Sequence, residues 1–211
     1  MAMHELTLYT NPNSRGRIVR WLLEELGVPY QVKLLQYGGE MKSADFLALN
    51  PMGKVPALTH GNVVVTEAAA ICAYLADHFA EKQLAPDPQS PERAAYYRWL
   101  FFVAGPLEMA TSAKAYDWRI DADNAPAVGS GFYQDTINTL ETALANGPYL
   151  CGEQFTAADV YVGSHIMWGL MFKTIEPRPV FTEYTAKLGA RAAAIRANEL
   201  DDALLEKTSQ G

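Results

Sequence analysis

Along residues 5–80 the hydrophobic positions switch between two periods. Leu6-Thr7-Leu8-Tyr9 alternates apolar and polar side chains, as a strand with one buried face does, and Asn11-Pro12-Asn13-Ser14 breaks the pattern. Over residues 15–26 the apolar positions Ile18, Val19, Leu22, Leu23 and Leu26 share one broad helical face. Gly27 then stands where a left-handed C-terminal glycine belongs, and Pro29 blocks continuation. Residues 30–34 alternate again, which predicts a second strand, and a short helix is expected over residues 43–49, ended by Asn50-Pro51. Residues 57–59 and 63–65 flank Gly61-Asn62, a tight hairpin signal. Thr66 is placed to cap a helix over residues 67–79. The order β-α-β-α-β-β-α predicts a small mixed sheet covered by helices. Its two opening strands are expected to be parallel, because a helix joins them in a right-handed crossover.

The pattern changes at Pro86-Asp87-Pro88-Gln89-Ser90-Pro91, three prolines in six residues, which suits a linker. Beyond it every signal is helical. Residues 92–116 are apolar and aromatic, with a kink expected at Gly105-Pro106. Residues 136–145 place Ile137, Leu140 and Leu144 at helical spacing. Thr156 and Asp159 are spaced as a capping box, and Phe155 and Val160 as a hydrophobic staple. Residues 184–206 are alanine-rich and read as one helix. The chain therefore divides into an α/β domain over residues 1–80, a linker over 81–89 and an all-helical domain over 90–211.

Composition narrows the function. Of 211 residues, 49% are hydrophobic and 19% charged, which fits a chain with a sizeable core and not a disordered tail. Twenty-four acidic against 17 basic side chains leave a net charge of −7, without the basic footprint of a nucleic-acid binder. The best uncharged run, residues 160–172, is too short to cross a bilayer, and the first residues lack the basic head and apolar stretch of a signal peptide. Two cysteines, Cys72 and Cys151, on separate apolar stretches point to a reducing cytoplasm, with Cys72 a small core residue. His4, His60, His78 and His165 lack metal-ligand spacing and read as surface or core; no metal is expected.

Several stretches taken together carry more information. Leu8-Tyr9 runs through Ser14 into Arg20-Trp21-Leu22-Leu23-Glu24-Glu25. Phe46-Leu47-Ala48-Leu49-Asn50-Pro51-Met52-Gly53-Lys54-Val55-Pro56-Ala57-Leu58 and Thr66-Glu67-Ala68-Ala69-Ala70-Ile71 follow, and Phe155-Thr156-Ala157-Ala158-Asp159 stands in the helical half. In this order and at these spacings the chain resembles the cytosolic glutathione transferases over nearly its whole length. The resemblance implies a thioredoxin-like N-terminal domain that binds glutathione as co-substrate, and an all-α C-terminal domain that shapes the second-substrate pocket. It also implies a homodimer.

A thiol attacks an electrophile as its thiolate, and lowering a pKa of about 8.5 by two units takes roughly 2.7 kcal/mol of preferential stabilisation. A hydroxyl donor and the positive end of a helix act on that scale. Ser14, between the first strand and first helix, falls where serine-type members such as the theta and phi classes keep their thiolate-stabilising serine; a plain helix cap is the bland alternative. Tyr9 and Asn11 remain alternatives, since other classes use a tyrosine near the end of this strand. Asn13 is a further amide donor on the loop, and Arg15 and Arg17 offer positive potential or a solvated face.

The resemblance further implies a cis bond at Val55-Pro56, with the Val55 backbone pairing to the cysteinyl residue. Lys42 and Lys54 match positions that contact the glycine carboxylate. Glu67 matches the glutamate that holds the γ-glutamyl ammonium, while Ala68 stands where the family keeps a hydroxyl and leaves only a backbone N–H for the carboxylate. Met109, Ser112 and Tyr116, at i, i+3 and i+7, are candidates for the second-substrate pocket. The absence of cysteine between Tyr9 and Arg20 argues against glutaredoxin-like exchange.

The expectation is conjugation of glutathione to small apolar electrophiles. The alternatives are glutathione-dependent peroxidase activity on the same site, or a non-catalytic interaction module of the stringent-starvation-protein type. Residues 1–80 hold 6 basic and 7 acidic side chains against 11 and 17 in the remainder, so the acidic excess lies in the helical half. Lys42, Lys54, Arg15 and Arg17 lie in segments assigned to a tripeptide with two carboxylates.

Overall fold

A computed structural model describes residues 5–209; His4 lies outside them. The chain forms two compact units. One comprises the residues up to Lys82 together with those from Ala190 onward, and the other runs Gln83–Gly189.

The first unit holds β1 (Leu6–Thr10), α1 (Gly16–Leu26), β2 (Gln31–Leu34), a 3-10 turn at Glu40–Lys42, α2 (Ala44–Leu49), β3 (Ala57–His60), β4 (Val63–Thr66) and α3 (Ala68–His78). The sheet order is β2-β1-β3-β4, with β1 and β2 parallel and the other pairs antiparallel. Strand alternation then separates two cores. Leu6, Leu8 and Thr10 are buried on the side where α1 and α3 pack, with Ile18, Leu22, Ile71 and Leu75. Tyr9 turns to the opposite side, against the cluster of Met41, Phe46 and Ala57. α1 ends as its sequence predicts: Gly27 has φ 62°, and its N–H closes on the Leu23 carbonyl at 3.0 Å.

The second unit is helical: α4 (Glu92–Phe102), α5 (Glu108–Ala115), α6 (Tyr133–Leu144), α7 (Ala157–Met171) and α8 (Pro179–Gly189). Between α4 and α5 the expected kink is a π-helical segment, Val103–Leu107, built around Pro106, which has no N–H to donate. The capping box at α7 is present. Buried Asp159 accepts from the N–H of Thr156 at 2.8 Å, its hydroxyl at 3.0 Å, the N–H of Leu150 at 3.0 Å and the Tyr184 hydroxyl at 2.7 Å. Burial pushes this carboxyl's pKa up, and the four hydrogen bonds pull it back.

Two local expectations are corrected. The alanine-rich stretch over residues 184–206 is not one helix: α8 begins earlier, at Pro179, and stops at Gly189, and α9 (Ala192–Ser209) follows. Helix propensity runs through the break, so composition hides it. α9 packs along α1 in the first unit, although the sequence groups it with the helical half. The pair is antiparallel and laced among the described residues by the ion pairs Arg17–Asp202 at 2.7 Å, Arg20–Asp201 at 2.8 Å and Glu24–Arg196 at 2.5 Å, while Arg191, just before α9, pairs with Glu25 at 2.6 Å. Thr66 also does not cap α3. It is the last residue of β4, and Glu67 occupies the cap position with no side-chain hydrogen bond to the helix.

Candidate functional site

Strand register decides where the candidate residues meet. β1 and β3 are antiparallel with Tyr9 opposite Ala57, so the end of β1 abuts the start of β3. Ala57 also pairs with Thr66, which brings the end of β4 to the same edge. β2 runs parallel to β1 and ends beside it, where the Leu35 N–H bonds the Thr10 carbonyl at 2.9 Å. Residues 11–14, 35–42, 54–56 and 67–68 therefore emerge at one edge of one sheet. Ser14, Lys42, Lys54, Val55, Pro56, Glu67 and Ala68 all belong to these segments.

Ser14 precedes α1 and closes its first turn. Its hydroxyl donates to the Asn11 carbonyl at 2.6 Å and accepts from the Gly16 N–H at 3.0 Å. The N-cap position itself is held by Arg15, whose side chain makes no cap hydrogen bond, and the Ser14 Oγ proton reaches another acceptor by rotating away from Asn11. Gly16 makes this approach possible: a Cβ there would stand 2.8 Å from Thr10 Cβ, closer still to the Thr10 hydroxyl, and 3.0 Å from Ser14 Oγ. The sequence reading passed over Gly16; a glycine in a helix's first turn was its available signal.

The two alternatives to Ser14, Tyr9 and Asn11, are placed differently. Tyr9 lies on the sheet face opposite α1, its ring 5.8 Å from that of Phe46 and beneath the Lys33 ammonium at 5.3 Å. The buried Asn11 side chain donates to the Leu35 carbonyl at 2.9 Å and accepts from the Asn13 N–H at 3.0 Å, which pins the loop to the end of β2. Arg17 is not a spare cation either, since it pairs with Asp202. Tyr37, unremarked in the sequence, reaches across and donates to the Asn13 carbonyl at 3.0 Å.

Val55–Pro56 is cis. Among the described residues no hydrogen bond takes up the Val55 N–H or C=O. Lys42 lies across the neighbouring turn, its ammonium donating to the Met52 carbonyl at 2.8 Å. Gly53 (φ 58°) sits under it, where a Cβ would come within 2.6 Å of the Met41 carbonyl oxygen. The Lys54 carbonyl is held by the Asn50 side chain at 2.7 Å, while its ammonium is exposed. Neither lysine forms an ion pair among the described residues.

Glu67 has φ 67° and ψ 120°, a conformation rarely adopted by a side chain with a Cβ. Such a residue costs on the order of 1–3 kcal/mol and persists where the surroundings over-determine it. Its carboxylate is exposed and unpaired among the described residues, beside the first N–H groups of α3, beginning at buried Ala68. The edge thus carries an unneutralised acid next to a helix N-terminus, two unneutralised ammonium groups, a free strand-like backbone pair and a hydroxyl at a second helix N-terminus. This set suits an extended ligand with an ammonium, two carboxylates and a central nucleophile.

The second-substrate candidates lie in the helical unit. Met109 and Ser112 are on α5 and Tyr116 follows its end; Met109 and Tyr116 are exposed and Ser112 half-buried, while Ala110 and Ala113 face inward. The exposed Trp118 ring stacks on Tyr116 at 5.9 Å, an aromatic neighbour the sequence reading did not single out. Both thiols are buried and free. Burial pushes Cys72 up to about 12 and Cys151 up to about 11. His60 and His165 are core residues, and no helix among the described residues is long and apolar enough to cross a membrane.

Comparison with known proteins agrees with this geometry. Residues 4–77 match the family described as glutathione S-transferase, N-terminal domain. The chain is 29% identical over 181 residues to glutathione S-transferase A of Pleuronectes platessa, covering 81% of this chain and 80% of that protein. Among solved structures it superimposes on a glutathione transferase from Methylococcus capsulatus with a TM-score of 0.77 and 28% identity, over 94% of this chain and 99% of the other. A glutathione transferase homolog from Sulfitobacter with bound glutathione gives 0.74 and 26%, over 93% and 98%. Residues 4–77 thus carry a glutathione S-transferase N-terminal domain, and over most of its length the chain is similar to glutathione S-transferases.

Proposed function

We propose that the protein is a serine-type glutathione transferase that activates the glutathione thiol at the N-terminus of α1 and adds it to small apolar electrophiles. The observation that carries this reading is the convergence of Ser14, Lys42, Lys54, Val55, Glu67 and Ala68 at one edge of the sheet, with the Val55 backbone pair, the Lys54 ammonium and the Glu67 carboxylate uncommitted and the Ser14 hydroxyl and Lys42 ammonium donating only to loop carbonyls. In it, Glu67 holds the γ-glutamyl ammonium and the Ala68 N–H its carboxylate. Val55 N–H and C=O pair with the cysteinyl backbone, and Lys42 and Lys54 face the glycine carboxylate. Ser14 Oγ–H turns from the Asn11 carbonyl to the sulfur.

A hydrogen bond to a charged acceptor contributes about 1.5–3 kcal/mol and a helix terminus about 0.3–1 kcal/mol. Together they match the roughly 2.7 kcal/mol that a two-unit drop in thiol pKa takes. Met109, Ser112 and Tyr116 are proposed to line the electrophile pocket. A cytoplasmic homodimer completes the reading; the buried, unpaired thiols support the compartment, and the family resemblance the dimer.

Calorimetric titration with glutathione tests it. Millimolar or tighter binding is expected, and its absence would leave a non-catalytic interaction module. Ser14→Ala is expected to raise the pKa of the bound thiol by about one to two units, read as thiolate absorbance against pH, with glutathione affinity retained. An unmoved pKa would remove Ser14 from the reaction.

A further inference from the structure

Arg17 lies on the first turn of α1, and its guanidinium faces two ways. Nε donates to the Pro12 carbonyl at 2.6 Å, within the loop that carries Ser14. Nη2 pairs with Asp202 at 2.7 Å and Nη1 donates to Asn198 at 3.4 Å, both on α9. One planar group thus ties the Ser14 loop to the last helix, more than 180 residues away in sequence. Pro12 is buried, so its carbonyl is an internal strut of the loop. The Asn11 carbonyl one residue earlier receives the Ser14 hydroxyl, so the strut and the Ser14 hydrogen bond share a peptide unit's length of backbone.

We propose that Arg17 is a positioning residue and that α9, through Asp202 and Asn198, holds it so that the Ser14 loop keeps its shape. This inference rests on the proposed role of Ser14. A lysine keeps the charge but lacks the fork that engages both sides at once. α9 does not depend on this contact for its place, because the buried Arg20–Asp201 pair and Glu24–Arg196 also bind it to α1.

The sign of one measurement separates positioning from simple electrostatics. Asp202→Ala removes a negative charge from the neighbourhood of the loop, which by Coulomb's law alone favours a thiolate and lowers the thiol pKa. Loss of positioning raises it. The test uses the full chain with Arg17→Lys, Asp202→Ala and the Asp202→Ala/Asn198→Ala double variant. In the ligand-free protein, the amides of residues 13–17 are expected to exchange with solvent several-fold faster in each variant while those of the β1 interior are unchanged.

With glutathione bound, the thiol pKa is expected to rise by about half a unit to one unit. kcat/KM should fall on the order of three- to tenfold, below the roughly hundredfold loss that a 1 Å misplacement can bring. The calorimetric Kd for glutathione should stay within about twofold. Unchanged exchange overturns the strut. Faster exchange with an unmoved or lowered thiol pKa overturns the positioning role. Failure of the unaltered protein to bind glutathione overturns the proposed function and this inference together, and the exchange data still report on the strut itself.

Discussion

Gly16→Ala sets two effects of opposite sign against each other. Alanine favours a helix over glycine by up to about 1 kcal/mol in a helix interior, and by less in the first turn, where backbone hydrogen bonds are not yet closed. Against this stands the contact with β1. The added methyl would lie 2.8 Å from Thr10 Cβ and nearer to the Thr10 hydroxyl, and Thr10 is fully buried. Ordinary contact between carbon atoms is about 3.5–4.0 Å, so either the start of α1 or the strand must give by roughly 1 Å. Overpacking of this kind typically costs about 1–3 kcal/mol. Because Ser14 Oγ bonds the Gly16 N–H, the same displacement moves the hydroxyl off its position.

The expected net result is a loss of about 1–2 kcal/mol in urea unfolding, together with a fall in conjugation rate toward the roughly hundredfold that a 1 Å error can cause. Thr10→Ala in the same chain removes the closest clash, and the pair is expected to be non-additive by at least about 0.5 kcal/mol. A Gly16→Ala protein as stable as the parent, with the same rate and no coupling to Thr10, would refute the close-approach argument.

Three further outcomes follow from the buried polar groups. Asp159→Ala leaves the Leu150 and Thr156 N–H groups and the Tyr184 hydroxyl without their acceptor, and should cost about 3–5 kcal/mol in denaturant unfolding, whereas an exposed neighbour such as Glu153→Ala should stay within about 0.5 kcal/mol. Arg20→Met alone strands the buried Asp201 carboxylate and is expected to cost about 3–5 kcal/mol, while Arg20→Met/Asp201→Leu should recover most of it; a double variant no better than the single would contradict this.

The thiols set an alkaline limit. Cys72 and Cys151 stay protonated in the fold up to about 12 and about 11, whereas an unfolded thiol ionises near 8.5, so the fold binds protons that the unfolded chain releases. The stability present below about pH 8.5 should then fall as pH rises toward 11, approaching about 1.4 kcal/mol per pH unit for each thiol. Cys72→Ala should make the slope shallower. At neutral pH both thiols should resist a disulfide reagent until denaturant is added.

The sequence by itself determined the elements, because strand alternation and helical periodicity are local and strong here. It placed β1, the Gly27 stop on α1, the Gly61-Asn62 hairpin, the Pro106 kink and the Thr156–Asp159 box. Ser14, Lys54, Val55, Pro56 and Glu67 became candidates through the family resemblance, which is carried by short runs of neighbouring residues. Three things were decided only in tertiary structure. Which face Tyr9 takes follows from pairing and packing, and that face sets it against Phe46 and the Met41–Ala57 cluster. The destination of α9 was hidden because an alanine-rich helix carries no record of its partner; ion pairs of α1 with α9 and with Arg191 just before it, at sequence separations beyond 160 residues, settle it. Arg17 reads as a solvated or ligand-facing cation in sequence, and it became a bridge to Asp202 only when that helix arrived. Charge in a sequence is a count, whereas neutralisation is a distance, and only the fold sets distances.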